Sequence, residues 1–101
     1  RTFRLALVDC WANFYRGGRD MKYWHRDDYG SRQPRPSATL GVSLGEPREL
    51  ALHHVASGRE FHVAQRNGDV FAFDEEFNAA FKHSVPPTRL RGPRVSVIIW
   101  A

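Results

Sequence analysis

The chain has one cysteine among its 101 residues, Cys10, and no run of apolar residues long enough to cross a bilayer. One cysteine excludes an internal disulfide, so the sequence predicts an intracellular, reducing compartment, cytoplasmic or nuclear. A spanning helix needs about 18 consecutive apolar residues and a signal peptide needs an apolar core near its start, so no membrane contact is expected. Cys10 itself is expected to be a small core residue.

Acidic residues are also scarce relative to basic ones, because 11 Asp and Glu stand against 15 Lys and Arg, a net charge of +4. A basic surface favours polyanions such as nucleic acid, although the same charge serves solubility equally well. With 42% hydrophobic residues the chain can bury one modest core. We therefore expect one domain over residues 1–101, and the start at Arg1 instead of methionine leaves open that it belongs to a longer chain.

Short alternating segments dominate the chain. Phe73, Phe77 and Phe81 have helical spacing over residues 74–81, and the prolines at 86 and 87 exclude regular structure there. Some seven short strands and at most one short helix predict an all-β sandwich or barrel. Strands are expected over residues 5–15, 21–25, 37–44, 48–55, 60–65, 70–73 and 94–100.

The residues that carry chemistry are His25, Asp27 and His83. His25 and Asp27 are two apart, so on an extended segment both side chains lie on the same side. His83 follows 56 residues later and has to arrive from a distant strand. Two imidazoles and one carboxylate on one face of Fe(II) leave three coordination positions open, as in non-haem iron oxygenases. A lone histidine is more often a surface or core side chain, so the ordered set is the stronger evidence.

Six ordered segments resemble the AlkB-type Fe(II)- and 2-oxoglutarate-dependent dioxygenases, which are oxidative dealkylases of nucleic acid. The resemblance covers roughly residues 12–100 and matches only the C-terminal catalytic half of such proteins, a double-stranded β-helix (jelly roll). It implies that the N-terminal nucleotide-recognition lid is not in this sequence and comes from a further segment or a partner. The segments are residues 13–20, 24–28, 43–45 with Arg48, 67–70, 83–86 and 93–96.

The resemblance implies that His25, Asp27 and His83 bind Fe(II). Decarboxylation of 2-oxoglutarate would then accompany hydroxylation of an N-alkyl group, which leaves as an aldehyde. The expected partners are alkylated DNA or RNA, with the nucleic acid and the base left open.

The same resemblance implies a cofactor-binding set of Asn13, Tyr15, Arg94 and Ser96. Arg94 would pair with the distal carboxylate of 2-oxoglutarate through its planar guanidinium, which lysine cannot imitate. Tyr15 would donate its hydroxyl to the same carboxylate, and Asn13 would lie near the metal-proximal one. As strand residues two apart, Asn13 and Tyr15 share a face.

The closing segment departs from the family pattern Arg-x-Asn-x-Thr-x-Arg. Ser96 stands at the Asn position, Ile98 at the Thr position and Trp100 at the second Arg. That Arg normally holds the metal-proximal end of the 2-oxo acid, whereas an indole offers one N–H and no charge. A second hypothesis is therefore a catalytically degenerate module that binds nucleic acid or serves a structural role.

Two further alternatives concern the substrate and the fold. An oxygenase of the same fold could act on protein or on a small molecule, and the missing lid keeps this open. A cupin fits poorly, because cupin ligands follow a different His-rich spacing.

Substrate contacts are expected next to Asp27. The family often carries an acidic residue two positions beyond the metal-binding Asp. Here that position is Tyr29, which is suited either to stacking on a base or to beginning the loop at residues 30–37, and Asp28 would take over part of the acidic role. Arg26 completes this predicted substrate set.

Basic and aromatic residues alternate around the first two ligands and suit a phosphate backbone with unstacked bases. Arg48 is expected to be structural or to line the pocket, with Asp27 and Asp28 as candidate ion-pair partners. The predicted basic patch consists of Arg16, Arg19, Lys22, Arg26, Arg32 and Arg35, with Tyr23, Trp24 and Tyr29 interleaved.

Overall fold

The computed structural model describes residues 6–101. Within them, eight strands and one helix of six residues confirm the predicted all-β class with at most a short helix. The elements in chain order are β1 (Asp9–Tyr15), β2 (Lys22–His25), a short 3-10 helix (Tyr29–Ser31), β3 (Ala38–Gly45), β4 (Arg48–His54), β5 (Glu60–Gln65), β6 (Val70–Asp74), α1 (Glu75–Ala80), β7 (Phe81–Val85) and β8 (Arg94–Trp100).

The strands form two four-stranded antiparallel sheets, ordered β1-β8-β3-β6 and β2-β7-β4-β5. Most consecutive strands lie in opposite sheets, which is the winding of the predicted jelly roll. Tyr15 of the first sheet packs with Leu50 and Val85 of the second in a buried cluster, against which Leu52 and Phe71 are partly buried. The cluster is small because much of the remaining space between the sheets is lined by polar side chains.

Strand β8 shows why the interior is polar. Successive residues of a strand face opposite sides, and Arg94, Ser96 and Trp100 are all buried. The intervening residues lie on the outer face, where Val97 pairs with Ala12 of β1 and Val42 of β3. The register therefore turns Arg94, Ser96 and Trp100 inward together with Ile98, whereas the other aliphatic residues of the strand face outward.

One prediction is wrong, one strand was missed, and one predicted strand start lies outside the described residues. Cys10 is exposed on β1 and is not a core residue. The short helix predicted over residues 74–81 is α1, and residues 81–85, for which no strand was predicted, form strand β7. The first strand begins at Asp9, and its predicted start at Leu5 lies outside the described residues. In the described part of the chain, no helix is long and apolar enough to span a membrane.

Candidate metal centre and cofactor pocket

The side chains of His25, Asp27 and His83 meet at one point. Their ligand atoms all lie within 4.8 Å of one another. Nε2 of His83 is 3.3 Å and Nε2 of His25 is 3.7 Å from Oδ1 of Asp27. The two histidines are direct neighbours because His25 pairs with His83 between β2 and β7. Two imidazole nitrogens and one carboxylate oxygen therefore converge as a divalent first-row metal requires.

The protonation of the cluster also suits metal binding. Nδ1 of His25 donates to the carbonyl of Tyr23 at 2.7 Å, an assignment that leaves the lone pair of Nε2 free. Burial lowers the pKa of His25, which favours the neutral ring. Burial alone would raise the pKa of Asp27, but hydrogen bonds from His83 and Thr39 outweigh it, so the pKa lies below its usual value. Neutral imidazole and ionised carboxylate are the ligand forms a metal needs.

Four hydrogen bonds with residues distant in sequence hold Asp27 in place. Its Oδ2 accepts from Oγ1 of Thr39 at 2.6 Å and from Nε1 of Trp100 at 3.2 Å. The side-chain amide of Asn78 donates to the Asp27 carbonyl and accepts from the Asp27 N–H, both at 2.9 Å. Oδ1 is thus the oxygen left facing the histidines. Sequence reasoning missed Thr39 and Asn78, because a single polar residue on a strand or short helix carries no spacing signal.

Tyr29 supports this network from inside the fold. Its hydroxyl lies 2.6 Å from Oγ1 of Thr39 and donates to it, since the Thr39 proton goes to Asp27. The side chain is 2% exposed and packs edge-on against Trp100. Burial raises the pKa of Tyr29 to about 12, so the hydroxyl keeps its proton. The prediction that Tyr29 stacks on a base is therefore wrong, because neither face of its ring is open.

Arg94 lies at the other end of β8 with its guanidinium incompletely paired. Nη2 donates to Oγ of Ser43 at 2.8 Å and to Oε1 of Gln65 at 2.7 Å, and the guanidinium lies over the Tyr15 ring at 5.0 Å. Nε and Nη1 of Arg94 and Nε2 of Gln65 are buried and have no hydrogen-bond partner among the described residues. All three unpartnered atoms are donors, so the group they fit is an anion with several acceptor oxygens. Gln65 is a further residue that sequence reasoning missed.

One cavity connects the two ends of the site. Its volume of ≈ 80 Å³ is several times the space that one water needs. His25, Asp27 and His83 line one part of it and Arg94 another. Its walls also include three residues of the predicted cofactor set and one lysine, namely Asn13, Tyr15, Ser96 and Lys22. The donor set fits Fe(II), and the unpartnered N–H groups fit a carboxylate.

The predicted substrate residues and basic patch are only partly assembled. Arg26 and Asp28 are exposed beside the metal ligands, and Nε of Arg26 donates to the carbonyl of Ala79. Half of the six basic residues of the patch are in ion pairs: Arg16 with Asp20, Arg32 with Asp9 and Arg35 with Glu75.

Arg48 has the first of its two predicted roles, but with different partners. It is 4% exposed, and its guanidinium donates to the backbone carbonyls of Gly17, Asp20 and Pro86. The proposed ion pairs with Asp27 and Asp28 are not formed. Arg48 is therefore structural in the sense that it holds two loops together.

Comparison with known proteins bears on the fold. No family model and no curated protein matches the chain. Among solved structures, OsALKBH1 matches 96% of the chain with a TM-score of 0.72 and 18% identity. Drosophila melanogaster CENP-C bound to CAL1 matches 91% with a TM-score of 0.68 and 11% identity. A cupin domain from Bordetella pertussis matches 99% with a TM-score of 0.56 and 15% identity.

These similarities support the jelly-roll fold and no particular activity. The chain spans 51% of OsALKBH1, 60% of that CENP-C chain and 88% of the Bordetella cupin domain. The prediction that a cupin fits poorly concerned the spacing of the metal ligands, which a similarity of fold to a cupin domain does not test. Cupins and AlkB-type dioxygenases share the jelly roll and differ in the sequence spacing of their metal ligands.

Proposed function

We propose that the chain is an Fe(II)- and 2-oxoglutarate-dependent oxygenase that removes alkyl groups from nucleic-acid bases. The observation that carries the proposal is that three converging metal ligands and the unpartnered guanidinium of Arg94 line the same cavity. A metal site alone would fit many proteins, and a buried arginine alone would fit many folds. Together in one cavity, they suit a metal and a carboxylate-bearing co-substrate. The fold similarity to OsALKBH1 supports the same reading.

His25, Asp27 and His83 would hold the metal. When bound, the metal and 2-oxoglutarate would couple reduction of dioxygen to two oxidations: 2-oxoglutarate becomes succinate and carbon dioxide, and the N-alkyl carbon is hydroxylated and leaves as an aldehyde. Thr39 and Trp100 occupy Oδ2 of Asp27, so the carboxylate offers Oδ1 alone. Binding through one oxygen keeps the remaining coordination positions for the co-substrate and dioxygen.

Arg94 and Gln65 would bind the distal carboxylate of 2-oxoglutarate. The unpartnered donors of both side chains are already desolvated, so a carboxylate gains their hydrogen bonds without displacing a protein acceptor. The aromatic ring of Tyr15 packs against the guanidinium group of Arg94. Asn13 and Ser96 form the wall along which the rest of the 2-oxo acid would lie.

The AlkB-type family has a second arginine near the metal-proximal carboxylate of 2-oxoglutarate. This chain has Trp100 at that position and therefore no cation there. The N–H of Trp100 is used by Asp27. Lys22 lines the same cavity, so we propose that its ammonium group takes the role of the missing arginine. Arg26 and Asp28 are the exposed side chains beside the ligands and are proposed to contact the alkylated nucleotide, with a further segment or partner as the lid.

The test is succinate formation by protein reconstituted anaerobically with Fe(II), then given 2-oxoglutarate and oxygen. We expect succinate from the unaltered chain and none from His25→Ala. Bound iron is measured in both samples, so that loss of activity can be assigned to loss of metal. Methylated oligonucleotides added to the same reaction should raise succinate yield and release formaldehyde. Iron binding without succinate contradicts the proposal.

A degenerate, non-catalytic module is the second candidate, and Trp100 is the observation that favours it. The indole brings no charge to the cavity, and CENP-C, a structure of similar fold, is found bound to a protein, CAL1. This candidate predicts iron bound by the triad, no succinate under any condition, and binding to a macromolecule that is independent of 2-oxoglutarate.

A further inference from the structure

Two loops meet at the end of the barrel away from Asp27 and form an arginine-lined groove. One loop joins β1 to β2 and the other joins β7 to β8. Tyr15, the last residue of β1, pairs with Arg94, the first of β8, whereas the metal ligand Asp27 contacts Trp100 at the other end of β8. We define the basic groove by its lining residues, Arg16, Gly17, Gly18, Arg19, Asp20, Thr88, Arg89, Leu90 and Arg91.

The basic groove is a rigid surface, although it is built from loops. The N–H of Thr88 donates to the carbonyl of Gly18 at 2.9 Å. A Cβ on Gly18 would overlap the carbonyl oxygens of Thr88 and Leu90, so only glycine allows the two loops to approach this closely. Beneath them, Nη2 of the buried Arg48 donates to the carbonyls of Asp20 at 2.8 Å and Pro86 at 2.7 Å, one in each loop. Fixed loops lower the entropic cost of ordering the groove when a partner binds.

The charge of the basic groove is unbalanced. Arg19, Arg89 and Arg91 make no ion pair or side-chain hydrogen bond in the part of the chain that the structure describes. The fourth arginine, Arg16, is paired with Asp20. Glu46 lies against Gly92 at the edge, and Glu49 lines the neighbouring hollow, which shares Thr88 and Leu90 with the groove. Among the lining residues four arginines stand against one carboxylate, Asp20, and with Glu46 and Glu49 counted the arginines still exceed the carboxylates by one, within a chain that is +4 overall.

We propose that the basic groove binds the phosphate backbone of nucleic acid, independently of the metal centre. Guanidinium groups match phosphate oxygens in geometry and hold their charge at every physiological pH. Contacts of this kind are sequence-independent and orient a nucleic acid without reading its bases. The basic groove uses no metal ligand, so it would serve an active oxygenase and an inactive module alike.

The test is fluorescence anisotropy of an unmodified, fluorescein-labelled DNA duplex titrated with the full chain in EDTA at several salt concentrations. The matched pair of variants is Arg89→Ala/Arg91→Ala in the basic groove and Arg59→Ala/Arg66→Ala on exposed turns elsewhere, which remove the same charge. Loss of two phosphate contacts should reduce the slope of log K against log salt by about 2. We expect this change in the groove variant and little change in the turn variant.

Three outcomes would overturn the proposal: no binding by the unaltered chain, equal effects of the two double variants, or displacement of DNA by poly-glutamate of equal charge at equal concentration. The second outcome would mean that net charge alone attracts DNA, and the third that any polyanion fits. Circular dichroism and melting curves of both variants establish that they are folded. The binding assay contains EDTA and needs no metal, so a negative result in the separate succinate assay would not change its interpretation.

Discussion

Replacing Arg94 with methionine should remove ligand-induced stabilisation while changing the ligand-free protein little. Methionine keeps much of the side-chain volume and removes the charge. Arg94 is 2% exposed, with two of its three guanidinium nitrogens unpartnered. Leaving such donors buried costs about 1–3 kcal/mol, and the hydrogen bonds to Ser43 and Gln65 that the substitution removes are worth a similar amount. These terms oppose each other, so the unfolding free energy should change by less than about 2 kcal/mol.

The effect on ligand binding should be large by comparison. At a 2-oxoglutarate concentration of about 100 times Kd, binding stabilises the native state by about 2.7 kcal/mol. In a domain of this size that raises Tm by roughly 10–20 °C. Truncating one partner of a buried charge pair costs at least about 2 kcal/mol, which is a factor of about 30 in Kd. At the same ligand concentration Arg94→Met should then keep less than about a third of the stabilisation.

The assay is thermal unfolding without oxygen, with Fe(II) present and 2-oxoglutarate varied. Arg59→Met, at an exposed turn, is the matched control and should retain the full shift. The reasoning is refuted if Arg94→Met keeps most of the shift, or if Arg59→Met loses as much. Loss of about 5 kcal/mol in the ligand-free Arg94 variant would also refute it, since Arg94 would then be a structural cation.

Three further predictions concern the support of Asp27 and the edge of the second sheet. Asn78→Ala removes both hydrogen bonds to the Asp27 backbone and should lower the unfolding free energy by about 1–3 kcal/mol in urea titrations; an unchanged value would mean that water replaces the amide. Trp100→Phe keeps the aromatic contacts with Trp11 and Tyr29 but loses the donor to Asp27, so Mn(II) affinity measured by calorimetry should fall about 10-fold or more, and equal affinity would argue against this role of the indole. Hydrogen bonds that His62 donates to the carboxylates of Glu60 and Glu49 raise its pKa, so its contribution to stability is present below pH ~6.5 and is lost as pH rises through the higher folded pKa. Wild-type stability should therefore fall more than that of His62→Gln between pH 6 and 8, by about 0.2–1 kcal/mol, and parallel curves would contradict this.

The strand segments could be predicted from alternation and the candidate ligands His25 and Asp27 from their spacing, whereas His83 was indicated by its place in the ordered set of segments that resembles the family. Alternation identifies a strand whatever sheet it joins, and His25 and Asp27 are two residues apart. The partners of Asp27 could not be predicted in the same way. Asn78 is 51 residues from Asp27, and Trp100 is 73 residues away. A single polar residue that acts through one long-range contact leaves no pattern along the chain.

The wrong predictions have a common physical cause. Cys10 was assigned to the core and Tyr29 to an open stacking position, whereas Tyr29 is buried between the sheets, where Arg94 and Ser96 also lie. Cys10 lies on the outer face of the first sheet, opposite Ile99, and is exposed. A fold that encloses a polar cavity reverses part of the usual relation between hydrophobicity and burial, and the sequence alone does not reveal this reversal.

Strand β8 also fixes the distance between the two ends of the site. Arg94 and Trp100 stand six residues apart on one continuous ladder, about 20 Å along the backbone, so the spacing between the guanidinium and the support of Asp27 does not depend on flexible side chains. Inserting one residue would turn Val95, Val97 and Ile99 into the cavity and expel its polar lining. Inserting two would keep the lining and lengthen the gap. On the proposed function, the length of acid that the chain accepts is therefore adjustable only in steps of two residues, so a change of preferred co-substrate would require a paired insertion.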